Sequence, residues 1–123
     1  MNRRAAMYRS FDEAKRLSEA GLHAEAAATW AVVADVAEEL GDAYLARASR
    51  TGMRRHLLID WARRRWPEEG IRSEDVSVMA FAPLTKEQFR FSIYRWNRRP
   101  DGRGAFTRVS VSRRGRVTIL GED

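Results

Sequence analysis

Apolar residues recur every three or four positions through the first half of the chain and every second position through much of the rest, a pattern that predicts helices followed by strands. Met7, Phe11, Ala14 and Leu17, spaced four, three and three, form the inward stripe of a first helix. Ser10 to Glu13 has the form of a capping box, in which the Ser oxygen takes a free amide and Glu13 returns the bond, and Gly21 supplies a left-handed stop. A second helix, about His23 to Leu40, places Ala26, Trp30, Val33, Ala37 and Leu40 on one face and ends at Gly41. The short link makes these two an antiparallel hairpin. Asp42 caps a third helix that runs to about Trp66, where Pro67 and Gly70 close the helical half.

From residue 75 the period changes to two. Val76, Val78, Ala80 and Ala82 alternate with Asp75, Ser77, Met79 and Phe81, a weak strand ended by Pro83 and followed by a turn at 85–88. Phe89, Phe91 and Ile93 alternate with Arg90, Ser92 and Tyr94 as a clear half-buried strand. Pro100, Asp101, Gly102 and Gly104 make the linker Asn97 to Gly104 a wide hairpin loop. A third strand covers about Ala105 to Arg113, Arg114 and Gly115 form a tight turn, and Val117 to Leu120 form the last strand. The fold class expected is α+β: a three-helix N-terminal half, residues 7–66, packed on a three- to four-stranded antiparallel β-meander, residues 75–120, within one domain. Alternation assigns Phe89, Phe91, Ile93, Val109, Val111, Val117 and Ile119 to the core. The other face then carries Arg90, Ser92, Tyr94, Trp96, Phe106, Arg108, Ser110, Ser112, Arg116 and Thr118.

Charge sharpens this picture. Residues 88–120 hold nine arginines against Asp101, a segment charge of +8, more than the +6 of the whole chain. Residues 10–42 carry two basic and eight acidic side chains, −6, and residues 43–66 seven arginines against Asp60, +6. The positive charge is almost all arginine, since Lys15 and Lys86 are the only lysines. A GC-rich genome would raise both Arg and Ala, but codon bias does not explain where the arginines sit. At 123 residues with 44% apolar and 33% charged side chains, the chain is expected to fold as an ordinary globular unit. It has no cysteine, which excludes disulfides, thiolate catalysis and Cys-ligated zinc. No run approaches the roughly 20 apolar residues of a membrane helix, and no signal-type segment follows the basic start, so a cytoplasmic protein is expected.

The outer sheet face is the leading candidate site. Tyr94, Trp96 and Phe106 can stack on unpaired bases while Arg90, Arg108 and Arg116 meet phosphates. On the third helix Arg47, Arg50 and Arg54, with Arg65, fall in one arc near Trp61 and can track phosphates or receive an acidic partner. A protein partner and a plain solvated surface are the competing readings of both. His56 and Asp60 lie four apart on one helix face, but nothing completes a catalytic or metal set, and His23 reads as a surface residue at a helix start. Asp35, Glu38, Glu39 and Asp42 read as a solvated acidic face. No phosphate-cradling glycine loop is present. Neither a metal nor another cofactor is expected.

Residues 14–34, with Ala14, Leu17, Gly21, Leu22, Ala26, Ala27 and Trp30 at the matching positions, resemble the signature segment of the PerC-like, or ANR, family of small bacterial transcriptional regulators. His23 stands where that family has an aromatic residue, and Ala24 and Glu25 replace its basic pair. The Arg-rich continuation at Arg47 to Arg55 is similar in character. The resemblance covers roughly the first 60 residues, and a tetratricopeptide-like helix hairpin would place much the same residue types at its packing positions. It implies a cytosolic, non-enzymatic regulator that acts on nucleoid or other DNA-associated proteins, or on DNA itself.

The function expected is that of a small regulatory or accessory protein, of bacterial, phage or plasmid type, that binds nucleic acid through the sheet and the third helix. The alternative is an adaptor or inhibitor that binds a protein through the helix hairpin. A metal-independent ribonuclease toxin ranks third. A homodimer through the edge strand at 116–120 is a further expectation.

Overall fold

The computed structural model describes residues 2–79, 89–96 and 103–122. Three helices, α1 (Arg3–Glu19), α2 (His23–Glu39) and α3 (Ala43–Arg65), precede 3-10 turns at Pro67–Glu69 and Ser73–Asp75. Strands β1 (Val76–Val78), β2 (Arg90–Arg95), β3 (Ala105–Val111) and β4 (Val117–Glu122) follow. They form one four-stranded antiparallel sheet in the order β1-β2-β3-β4. The α+β arrangement is the one that the change of period predicts. The turn at 85–88, the strand end from Ala80 to Pro83 and most of the loop from Asn97 lie outside the described residues.

Helix boundaries follow caps. Asp42 Oδ1 accepts from the Leu45 amide at 3.1 Å, as expected for the start of α3. At the N-terminus the expectation was wrong: α1 begins seven residues before Ser10, because Asn2 Oδ1 accepts from the Arg4 amide at 2.9 Å. Glu13 is therefore mid-helix and pairs with Arg16 at 2.6 Å. Gly21 and Gly41, both left-handed, separate the helices.

The layers stack in chain order. Met7, Val33, Ala37 and Ala46 form the centre of the helical core, flanked by Phe11, Trp30 and Leu40. The indole of Trp30 meets Phe11 edge to face at 5.4 Å and donates from Nε1 to Ser18 Oγ at 3.1 Å. Most of the residues that carry the PerC-like pattern thus build the hairpin: Ala14, Leu17, Ala26 and Ala27 are buried. On the opposite side of α3, Leu58, Ile59 and Ala62 pack on Val76, Phe91, Ile93, Val109 and Val111. Helix α3 is therefore common to both cores.

The inward face departs from strict alternation at its margins. Ile119 is 39% exposed and Phe89 is also exposed, because Phe89 precedes β2 and β4 is an edge strand with a bulge between Arg108 and Val109 in the pairing partner. The bulge adds Leu120 between the partners of those two residues. At the β3–β4 turn, Gly115 adopts φ +86°, where a Cβ would also lie 2.7 Å from Leu57 Cδ1.

Candidate nucleic-acid interface

The alternation in β2 and β3 that buries Phe91, Ile93, Val109 and Val111 turns Arg90, Tyr94, Phe106 and Arg108 to the opposite face. Helix α3 packs on the buried face. Cross-strand register places Tyr94 against Phe106 and Arg90 against Ser110. The Tyr94 ring stands edge to face with both Phe106, at 5.1 Å, and Trp96, at 4.6 Å. Phe106 is 47% exposed and Trp96 46%, so the cluster presents ring surface to solvent while Tyr94 is half-buried between them.

Each ring is held. Trp96 Nε1 donates to Asp75 Oδ1 at 3.1 Å, and the Arg72 guanidinium lies 5.0 Å from the indole centroid. Burial would raise the Asp75 carboxyl, but hydrogen bonds from Arg72 and from Trp96 outweigh it and hold that group below the usual carboxylate range. Asp75 therefore remains an anion that orients the indole. The Tyr94 ring rests over Gly104, where an added Cβ would lie 2.0 Å from the phenol. Only a glycine lets the ring lie there.

Arg90, Arg108 and Arg116 are exposed. Arg108 extends across the neighbouring strand, where a Cβ at Gly121 would approach its guanidinium at 2.8 Å. Of the six residues expected on the sheet, the structure brings Tyr94, Trp96 and Phe106 into contact at one end, with Arg108 in the middle and Arg90 and Arg116 toward the other end.

The expected basic strip on α3 needs correction. Arg47 is half-buried, but Arg50 and Arg54 are 5% and 2% exposed and face inward. Arg50 pairs with Asp35 at 3.2 Å and Glu38 at 2.7 Å, locking α2 to α3. Arg54 Nε donates to the Ser112 carbonyl. Arg55 reaches the Ser73 carbonyl at 2.6 Å and Arg63 that of Ile71 at 2.9 Å. The physical reason is that α3 is sandwiched between α2 and the sheet, so positions that form one arc on an isolated helix face protein on two sides.

Two constellations escaped the sequence reading. Arg95, 5% exposed, has the inward parity of Phe91 and Ile93 and lies 3.8 Å above the Trp66 ring. Its guanidinium is bidentate to Glu69, at 2.6 and 2.7 Å, and also bonds Glu122 at 2.9 Å. Parity alone would have placed it inside. His23 is buried, not a surface residue: its Nδ1 lies 2.8 Å from His56 Nδ1, and its Nε2 lies 3.2 Å from Ser73 Oγ. One imidazole donates and the other accepts, and the rings stack at 5.1 Å. Burial, with His23 and Arg55 adding repulsion, pushes His56 down to about 4, and burial with Arg63 and Arg55 lowers His23. The signal was faint: His23 stands three and four residues before the buried Ala26 and Ala27.

Among the described residues no group of three or more His, Cys, Asp or Glu is placed to hold a metal, and no helix is long and apolar enough to cross a membrane. Comparison with known proteins returned no match among family models, curated proteins or solved structures.

Proposed function

We propose that this chain binds single-stranded nucleic acid on the open face of its sheet. The observation that carries the reading is the coincidence, on one face, of the Tyr94, Trp96 and Phe106 cluster with Arg90, Arg108 and Arg116. Bases stack on the exposed flanks of Phe106 and Trp96, and the arginines neutralise phosphates along the neighbouring strands. The rings are preorganised by Gly104, Asp75 and Arg72, which reduces the ordering cost of binding. A regulatory or accessory role follows from the same reading and accords with the PerC-like segment. Of the helical arginines, this proposal keeps Arg47 at most, because Arg50 and Arg54 are engaged within the fold.

Fluorescence anisotropy with short labelled single strands tests it. Affinity falls steeply with added salt, and Arg90→Ala, Tyr94→Ala and Arg108→Ala each weaken it. Loss of Phe106 stacking costs about 1–3 kcal/mol of binding free energy. A flat salt response overturns the proposal.

A second reading, a protein-binding adaptor that acts through the helix hairpin, draws on a groove beside its second helix, where Ala24, Ala28 and Ala31 of α2 face Met53, Leu57 and the charged Asp60 and Arg64 of α3. Its distinguishing outcome is a partner that survives nuclease treatment and is lost in Ala28→Arg while Phe106→Ala retains it.

A further inference from the structure

The open sheet face is not uniform along its strands. At one end lie the rings of Tyr94, Trp96 and Phe106; at the other, where β3 turns into β4, is a pocket of about 380 Å³. That volume falls at the small end of the range for small-molecule sites. Arg113 and Arg116 line it with Ser110, Ser112 and Thr118, while Phe89, Val111 and the bonded Arg54 complete its wall. Among its described lining residues none carries a carboxylate.

The donor chemistry is specific. The guanidiniums of Arg113 and Arg116 and three hydroxyls offer N–H and O–H groups to one small volume, a set that suits the oxygens of a phosphate dianion, while Arg54 stays bonded to the Ser112 carbonyl behind them. Ser112 is fixed for this role. Its Oγ accepts from the Arg116 amide at 2.9 Å, which leaves its own hydrogen to donate. Its carbonyl accepts from the Gly115 amide at 3.0 Å and from Arg54 Nε, so the turn and the α3 arginine are tied together. Arg113 bonds Glu38, a carboxylate already shared with Arg50, and a guanidinium retains further N–H groups after one such contact.

Distance links the two ends. Ser110 and Thr118 are cross-strand partners, and Ser110 lies four residues of β3 beyond the Tyr94–Phe106 level, about 13 Å at the strand rise. Arg108, opposite Ser92, occupies the interval, and Arg90, opposite Ser110, stands at the level of the pocket. A chain with a phosphate at one end and bases farther along fits this succession of anion pocket, basic stretch and aromatic surface.

We propose that the pocket at the β3–β4 end binds a phosphomonoester, the terminal phosphate of the single strand whose bases lie on Phe106 and Trp96. This rests on the nucleic-acid reading of the sheet face and gives the bound strand a direction. The internal phosphodiesters carry one charge each and meet the exposed arginines of the sheet face. The terminal monoester, which approaches two charges near neutral pH, takes the pocket where the Arg113 and Arg116 guanidiniums meet three hydroxyls.

The test compares the intact protein with four forms of one short oligonucleotide: unphosphorylated, 5′-phosphorylated, 3′-phosphorylated and doubly phosphorylated. One of the two singly phosphorylated strands binds about tenfold more tightly than the unphosphorylated strand, a gain of about 1.4 kcal/mol. Arg116→Ala, and separately Thr118→Val combined with Arg113→Ala, bring that ratio towards one. Phe106→Ala weakens every strand and keeps the ratio. Circular dichroism melts of each variant exclude unfolding as the cause.

Equal affinity for all four strands overturns the pocket while leaving the sheet-face proposal intact. Equal gains from either terminal phosphate overturn it as well, since charge alone then explains the effect. Failure of every strand to bind overturns the sheet-face reading itself. Inorganic phosphate and a nucleoside monophosphate form the remaining arm. Displacement of the preferred strand at millimolar concentration supports the pocket, and saturable binding of the monophosphate with no strand bound assigns it to a free ligand instead.

Discussion

The two arginine-rich regions of this protein have similar compositions and opposite uses. On α3, Arg50, Arg54, Arg55 and Arg63 turn to carboxylates and backbone carbonyls of α2, the 71–76 segment and the β3–β4 turn. On the sheet, Arg90, Arg108 and Arg116 remain exposed, at and toward the end opposite the aromatic cluster. The difference arises from architecture. A helix lying between another helix and a sheet has protein on two sides, whereas an antiparallel sheet covered on one face leaves alternate residues in water. Charge counts treat both regions alike; packing separates them.

Arg95 crosses that division and sets the largest expected effect. It belongs to the sheet by sequence, yet it is buried against Trp66 and bonded to Glu69 and Glu122. Arg95→Met strands the Glu69 carboxylate, which is largely buried, at a cost of about 3–5 kcal/mol. Tm falls by about 10 °C or more in a thermal melt. If Arg95→Met melts with the wild type, the buried ion cluster is not formed.

Next in size is the lock between α2 and α3. Arg50→Ala removes bonds to Asp35 and Glu38, and because both acids retain solvent exposure they are rehydrated. The expected loss is about 2 kcal/mol in urea denaturation, within the usual range for hydrogen bonds to charged groups. Nucleic-acid affinity of the folded fraction is unchanged, which separates the inward arginines from the outward ones.

Acid provides a comparable perturbation. His56 is held near 4 by burial, against about 6.5 in an unfolded chain, so the unfolded state takes up protons first as the pH falls. Stability is therefore present above about pH 6.5 and is lost between there and about pH 4, amounting to roughly 2 kcal/mol by pH 5. The pair is flanked by Arg55 and Arg63, with only Asp60 acting in the opposite sense. His56→Gln flattens this profile in urea melts at pH 7.5 and 5. Strand binding at low pH follows the folded fraction, since His23 and His56 are the only histidines and neither belongs to the sheet face.

These contrasts show what periodicity can and cannot reveal. The change from period three-to-four to period two gave the order of elements and the inward residues Phe91, Ile93, Val109 and Val111. It also gave the outward set, because side-chain direction in a strand is fixed by the backbone alone. The fate of the α3 arginines was hidden because it depends on which elements pack against the helix. The His23–His56 pair was hidden for the same reason, since its members are 33 residues apart and meet only when α2 docks on α3. Arg95 was different: its parity with Phe91 and Ile93 is plain in the sequence, but the partners that let a guanidinium sit there, Glu69 and Glu122, lie 26 and 27 residues away. Ser10 misled as a cap because Asn2 captures the helix start earlier.

The smallest effect on stability, and the sharpest for the comparison, comes from the outward arginines. Arg90→Ala combined with Arg108→Ala removes two exposed guanidiniums that lie outside both cores, so Tm falls by no more than a few degrees, less than in Arg95→Met. What changes is the salt dependence of strand binding. Each phosphate contact contributes about 0.7 to the slope of log affinity against log salt for a single strand, so the double variant lowers that slope by about 1.4. Arg50→Ala, which removes the same charge from α3, leaves the slope where it was. Equal changes in slope for the two sets would mean that the protein attracts nucleic acid through its overall field, and the division between inward and outward arginines would have no bearing on binding.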